Sequence, residues 1–182
     1  NWRVQLALGS AYNASGHGEE AVPSLQKARR LRPQSAAVLY QLGLAEFQRG
    51  QPLRSISPLV NATQLSPDHF HALLLLGNAY YLAGKHEQAI DAYARAQELQ
   101  PQHPELCANL GGLLAQMGRT RTAENVYRAG LAGGTDSAQL NFNLGVLLWE
   151  KGEQAEAREL ILRAEELGIE LPADVRQAVA PE

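Results

Sequence analysis

Apolar residues fall at i, i+3, i+4 and i+7 in two successive stretches, and that pair of stretches recurs along the whole chain. The phase is set by Leu8-Gly9, Leu42-Gly43, Leu76-Gly77, Leu110-Gly111 and Leu144-Gly145, each pair 34 residues after the last. Seven residues beyond each of these glycines stands another: Gly16, Gly50, Gly84, Gly118 and Gly152. The pattern predicts two amphipathic helices per period, with the second glycine supplying the turn between them. Small residues at Ala21, Ser55, Ala89, Ala123 and Ala157 let the paired helices approach closely. Four places on comes a large apolar residue, at Leu25, Leu59, Tyr93, Tyr127 and Ile161. Pro33, Pro67 and Pro101 end three of the second helices and start the next unit. A fixed period of this length makes the chain an array of one supersecondary unit. Such arrays present long surfaces and rarely enclose a reaction chamber.

The repeat resembles the tetratricopeptide repeat (TPR), whose signature is a Trp/Leu-Gly/Tyr pattern followed by Ala, a Phe-like residue, Ala and Pro. Trp2, Leu8, Gly9, Tyr12, Gly16, Ala21, Leu25, Ala28 and Pro33 carry nearly all of it in the first repeat, and the match runs from residue 2 to about residue 171. The resemblance implies an all-α fold, a right-handed α-solenoid of five 34-residue helix-turn-helix repeats at 2–35, 36–69, 70–103, 104–137 and 138–171. Residues 172–182 read as a C-terminal capping helix and tail. Pro172 and Asp174 suit a first turn, and Val175, Ala178 and Val179 share one face. The fourth repeat has Gly130 for alanine and Thr135 for proline, in the loop Gly133-Gly134-Thr135-Asp136. A looser helix end is expected there, not a domain break. Pro23 and Pro58 fall inside second helices. Those helices either start late or kink, and a local irregularity near a helix start is the expectation.

Composition narrows the partners. The chain is 45% hydrophobic and 19% charged, as in an ordinary helical protein, and no apolar run approaches the ~18 residues needed to span a bilayer. Membrane insertion is not expected. A net charge of −3 and a pI near 6.0 argue against nucleic acid or an anionic membrane surface. The single cysteine, Cys107, excludes an internal disulfide and reads as a small buried apolar residue. The chain opens directly on a repeat at Asn1-Trp2, as expected of a fragment, and its compartment is left open.

Candidate binding residues follow from the resemblance, which implies that first helices line a concave groove. The second, fifth, ninth, twelfth and thirteenth places of each repeat would point into it. Trp2, Tyr12, Phe70, Tyr80, Tyr93 and Tyr127 stand where the repeat's own packing wants a large residue. The remaining aromatics, Tyr40, Phe47, Tyr81, Phe142 and Trp149, all lie at the fifth or twelfth place. Those places are two helical turns apart and share a face. The aromatics form either an exposed apolar strip, which would mark an interaction site, or a row buried against neighbouring repeats.

Asn78, Asn109 and Asn143 lie on successive first helices, with Gln41 equivalent to the last two. An asparagine amide both donates and accepts, so the three form either a ladder for a peptide backbone or polar helix surface. The family's carboxylate clamp also needs basic residues, and Leu74, Gln139 and Asn143 stand in their places. No terminal carboxylate would find a charged partner there. His71 and Glu105 would tune charge at mid-groove.

Nothing in the chain reads as catalytic. His17, His69, His86 and His103 sit in turns, where a solvated or capping role is expected, and no metal set converges. Phosphate-binding loops, nucleophile elbows and paired cysteines are missing from the sequence. The reading is a non-enzymatic protein–protein interaction scaffold without cofactor or metal, taking a peptide or partner helix in its groove. The alternatives are a self-assembly module and the substrate-recruiting TPR arm of a larger enzyme such as a glycosyltransferase.

Overall fold

The computed structural model describes residues 1–179, among which there are eleven α-helices and no strand. Ten of them form consecutive antiparallel pairs: α1 (Trp2–Ala14) with α2 (Gly18–Leu31), α3 (Ala36–Gln48) with α4 (Pro52–Leu65), and α5 (Phe70–Leu82) with α6 (His86–Leu99). The pairing continues with α7 (Pro104–Gln116) and α8 (Thr120–Ala132), then α9 (Ala138–Glu150) and α10 (Gln154–Glu166). A short α11 spans Ala173–Val179, and the expected tail at 180–182 lies outside the described residues. The chain divides into two compact units, Asn1–Leu99 with α1–α6 and a second from Gln100 onward with α7–α11.

One pair shows why the period folds as it does. Gly84 ends α5 with φ at +71°, a left-handed conformation that side chains disfavour. Its N–H donates to the Tyr81 carbonyl, and the Lys85 N–H donates to that of Tyr80, both at 2.9 Å. This two-bond closure satisfies the last carbonyls of α5 and turns the chain into α6. Tyr93, 2% exposed, then lies over Gly77, where any Cβ would come within 2.3 Å of a ring carbon. The small residues Ala21, Ala89, Ala123 and Ala157 and the large Leu25, Leu59, Tyr127 and Ile161 are likewise buried.

The starts of the first helices repeat as well. Ser35, His69, His103 and Ser137 are the N-caps of α3, α5, α7 and α9, and each side chain accepts from the third helical N–H. For His69 and His103 the acceptor is Nδ1, at 3.2 and 3.5 Å. The capping role expected of these turn histidines is the one they fill.

Of three expectations about irregular positions, one holds and two need correction. Neither proline-bearing helix starts late: α2 and α4 run unbroken through Pro23 and Pro58. The carbonyls deprived of a donor belong to Glu19 and Arg54, both exposed, so water can take the place of the missing N–H. Second, α8 does end early, as expected, one place before α2, α4 and α6, and its Gly130 serves packing. A Cβ there would meet Cys107 and Leu140 side-chain carbons at 2.7 Å, because both buried residues press against the backbone. The division between units falls at Leu99, and α8 and α9 stay packed together. Third, Trp2 and Tyr12 are not core residues. Tyr12 is exposed, and half-buried Trp2 lies beneath the guanidinium groups of Arg3 and Arg32, 5.5 and 5.8 Å from its ring centroid.

Candidate functional site

The predicted groove residues fall into two sets, one in each unit. In the first unit, α3 carries Tyr40 and Phe47 while α5 carries His71, Asn78 and Tyr81. Tyr40 and Phe47 are half-buried, leaning on a cluster of Leu59, Leu75, Leu76, Ala79 and Ala92. The Tyr40 ring also tilts against the His69 imidazole, with centroids 4.6 Å apart, and burial raises its phenol above the usual range. His71 is exposed, with the Phe70 ring edge-on at 5.3 Å. Asn78 is half-buried, and its Oδ1 accepts the Tyr93 hydroxyl at 2.6 Å. That bond fixes which way the amide faces. Tyr81 is 40% exposed and its neighbour Leu82 59%, an apolar pair at the twelfth and thirteenth places of their repeat.

In the second unit, α7 carries exposed Glu105 and half-buried Asn109. On α9, Asn143 accepts the Gln139 amide at 2.7 Å and also bonds the Tyr127 hydroxyl. Burial pushes the Tyr127 phenol up to about 12. Phe142 and Trp149, the other expected members of the aromatic strip, are half-buried against Ile161, Leu171 and Val179. Of the five candidate aromatics, Tyr81 is thus the exposed one, and the other four are half-sunk into their units.

Sequence reasoning missed Gly112. It occupies the ninth place, where unit one has Leu44 and Asn78, and it opens a cavity of about 330 Å³ lined by Tyr127, Phe142, Asn143 and Glu150. A Cβ at Gly112 would meet only the Tyr127 hydroxyl, at 3.7 Å, so the glycine leaves room instead of permitting contact. A side-chain-free ninth place was the available signal.

An ion-pair network on α8, α10 and the turn before α10 was also missed. Arg128 pairs with Glu124 and Glu156, and Lys151 with Glu124 and Glu153. Lys151 and Arg128 hold the Glu124 carboxyl below the usual range despite partial burial. These charges tie neighbouring repeats together and stand apart from the groove places. Among the described residues no group of three or more His, Cys, Asp or Glu could hold a metal ion, and no helix is long and apolar enough to cross a membrane.

Comparison with known proteins agrees with the repeat. Family models described as tetratricopeptide repeat match residues 71–103 and, separately, 6–64 and 109–172. No curated protein matches. Among solved structures, PilF of Pseudomonas aeruginosa is 21% identical, with 93% of this chain and 78% of that one covered at a TM-score of 0.83. MamA of Desulfovibrio magneticus is 18% identical, with 91% and 94% covered at 0.81. A thermophilic TPR protein of Thermus thermophilus is 22% identical, with 98% and 97% covered at 0.68. At these identities the likeness concerns the fold alone.

Proposed function

The chain belongs to the tetratricopeptide repeat family, a family of protein-interaction scaffolds, and from that premise we propose that it holds a peptide or partner helix against the groove side of its first helices. The observation that carries this reading is the exposure of Tyr81 and Leu82 on an otherwise well-packed helix. An apolar pair at adjacent groove places gains from being covered, and a tyrosine adds a hydroxyl that can bond a ligand's backbone. Tyr40 and Phe47 extend apolar contact area beside it, and His71 supplies a polar edge. In the second unit, Phe142, Asn143 and the space above Gly112 form a recess that fits one side chain of a ligand, with Trp149, Glu105 and Asn109 at neighbouring groove places. Asn78 and Asn143 come to the ligand pre-oriented by the Tyr93 and Tyr127 hydroxyls.

The chemistry required is apolar and hydrogen-bonding, without a fixed charge at a peptide end. A peptide selected for binding to the chain from a display library tests it. Tyr81→Ala with Phe142→Ala should weaken its affinity by about 1–3 kcal/mol per ring. Unchanged affinity would remove the groove from the account.

A further inference from the structure

Charge is nearly missing from the first helices of the second unit. α7 and α9 together hold two charged side chains, Glu105 and Glu150, and neither helix has a lysine, arginine or histidine. The described basic residues of this unit stand on second helices, in turns and on α11. Glu105 lies in the first turn of α7, where the helix's own field favours a carboxylate. Glu150 is the last residue of α9, where that field opposes one. Its place in the repeat, the thirteenth, is filled by Ala14, Gln48, Leu82 and Gln116 elsewhere, so packing of the repeat does not call for an acid.

The nearby cations are committed to other acids. Lys151, the next residue, turns its ammonium to Glu124 and Glu153 at 2.7 and 2.6 Å. Arg128 is held by Glu124 and Glu156. Among the described residues the Glu150 side chain has neither an ion pair nor a hydrogen bond. Glu150 is exposed, and it lines the cavity of about 330 Å³ beside Gly112. It is the one charged side chain among the lining residues. Phe142, Val146 and Leu147 supply apolar wall, while Tyr127 and Asn143 are already bonded to each other. An apolar recess with one unneutralised carboxylate on its exposed side matches arginine and lysine. Both lay an aliphatic stem along apolar surface and carry their charge at the far end. An acidic side chain would meet repulsion there.

With the groove as the binding face, a reading on which this rests, we propose that the recess takes an arginine or lysine side chain of the bound peptide. The stem lies on Phe142 and Val146, and the cationic head pairs with Glu150. Glu150 is then the residue that selects a basic ligand over a neutral or acidic one.

Peptides selected on the unmodified chain from a random display library are the probe. A basic residue should recur in them at one position, and should be lost when the selection is repeated on Glu150→Gln. The leading peptide is then titrated into the unmodified chain, Glu150→Gln and Glu105→Gln, beside the same peptide with that basic residue changed to methionine. Glu150→Gln should weaken the basic peptide about fivefold, the scale of an exposed ion pair, and the methionine peptide by less than about twofold. The fivefold loss should shrink at high salt. Glu105→Gln should change neither affinity by as much as about twofold. Glu150→Gln should also melt no lower than the unmodified chain, because it removes a carboxylate from a helix C-terminus. A lower melting temperature would show that the chain itself neutralises Glu150, and would overturn the proposal. So would a peptide that loses affinity with Phe142→Ala yet keeps it with Glu150→Gln, an outcome that leaves the groove standing as the binding face. Indifference to both substitutions would overturn the groove reading, and the assignment of Glu150 with it.

Discussion

The Tyr93 hydroxyl donates to the Asn78 carbonyl oxygen at 2.6 Å while the body of the same ring lies over Gly77. One side chain from a second helix thereby fills the repeat's core and orients an amide at a groove place. The Tyr127 ring lies likewise over Gly111 in the next repeat, and its hydroxyl is bonded to Asn143. Scaffold and proposed site share atoms here.

The two kinds of first-helix glycine should respond oppositely to a methyl group. Gly77→Ala drives a Cβ into a buried ring that has nowhere to move, and should cost about 1–3 kcal/mol in denaturant unfolding. Gly112→Ala meets only a hydroxyl at 3.7 Å and should leave stability within about 0.5 kcal/mol or raise it, as helix propensity favours alanine. It should instead reduce ligand affinity by narrowing the recess.

An imidazole nitrogen caps α5. His69→Ala removes the Nδ1 acceptor from the Ala72 N–H and the ring from beside Tyr40, and should cost about 1 kcal/mol. His69→Asn restores a capping oxygen without the ring. Recovery of most of the lost stability by asparagine, read from urea midpoints, would assign the effect to the cap.

Alkaline pH should unfold the chain partly through Tyr127. Its phenol is raised by burial from 10.0 to about 12, so the folded state holds its proton where the unfolded state has lost it. The stabilisation is complete below pH ~10 and fades as pH rises towards 12. Tyr127→Phe should flatten that part of the stability profile by about 3 kcal/mol. An identical profile would show that the hydroxyl is not protected by its surroundings.

Much of this fold is legible in the sequence because the repeat states it five times. The spacing of Gly77 and Gly84 with Ala89 and Tyr93 describes a helix, a left-handed turn and a close crossing, and each is present as read. Pro23 misleads because a sequence argument counts the missing N–H without knowing that Glu19, four residues earlier, is exposed to water. Tyr12 misleads because its place in the repeat carries the right residue without saying which helix lies over it. The candidate site was harder to read. Fifth and twelfth places identify Tyr40, Phe47, Tyr81, Phe142 and Trp149 as one class, but their exposure depends on neighbouring helices. Leu171, the last residue of the fifth repeat, and Val179 beyond it reach Phe142 and Trp149, while Tyr81 keeps an open side.

The central claim, that the groove places bind a partner, is tested most directly by one titration. A peptide selected on the unmodified chain is titrated into that chain and into Tyr40→Ala/Tyr81→Ala/Asn109→Ala, after circular dichroism shows equal helicity. The account predicts at least a tenfold loss of affinity in the triple variant. Equal affinity for both chains would contradict it and move the binding surface off the first helices.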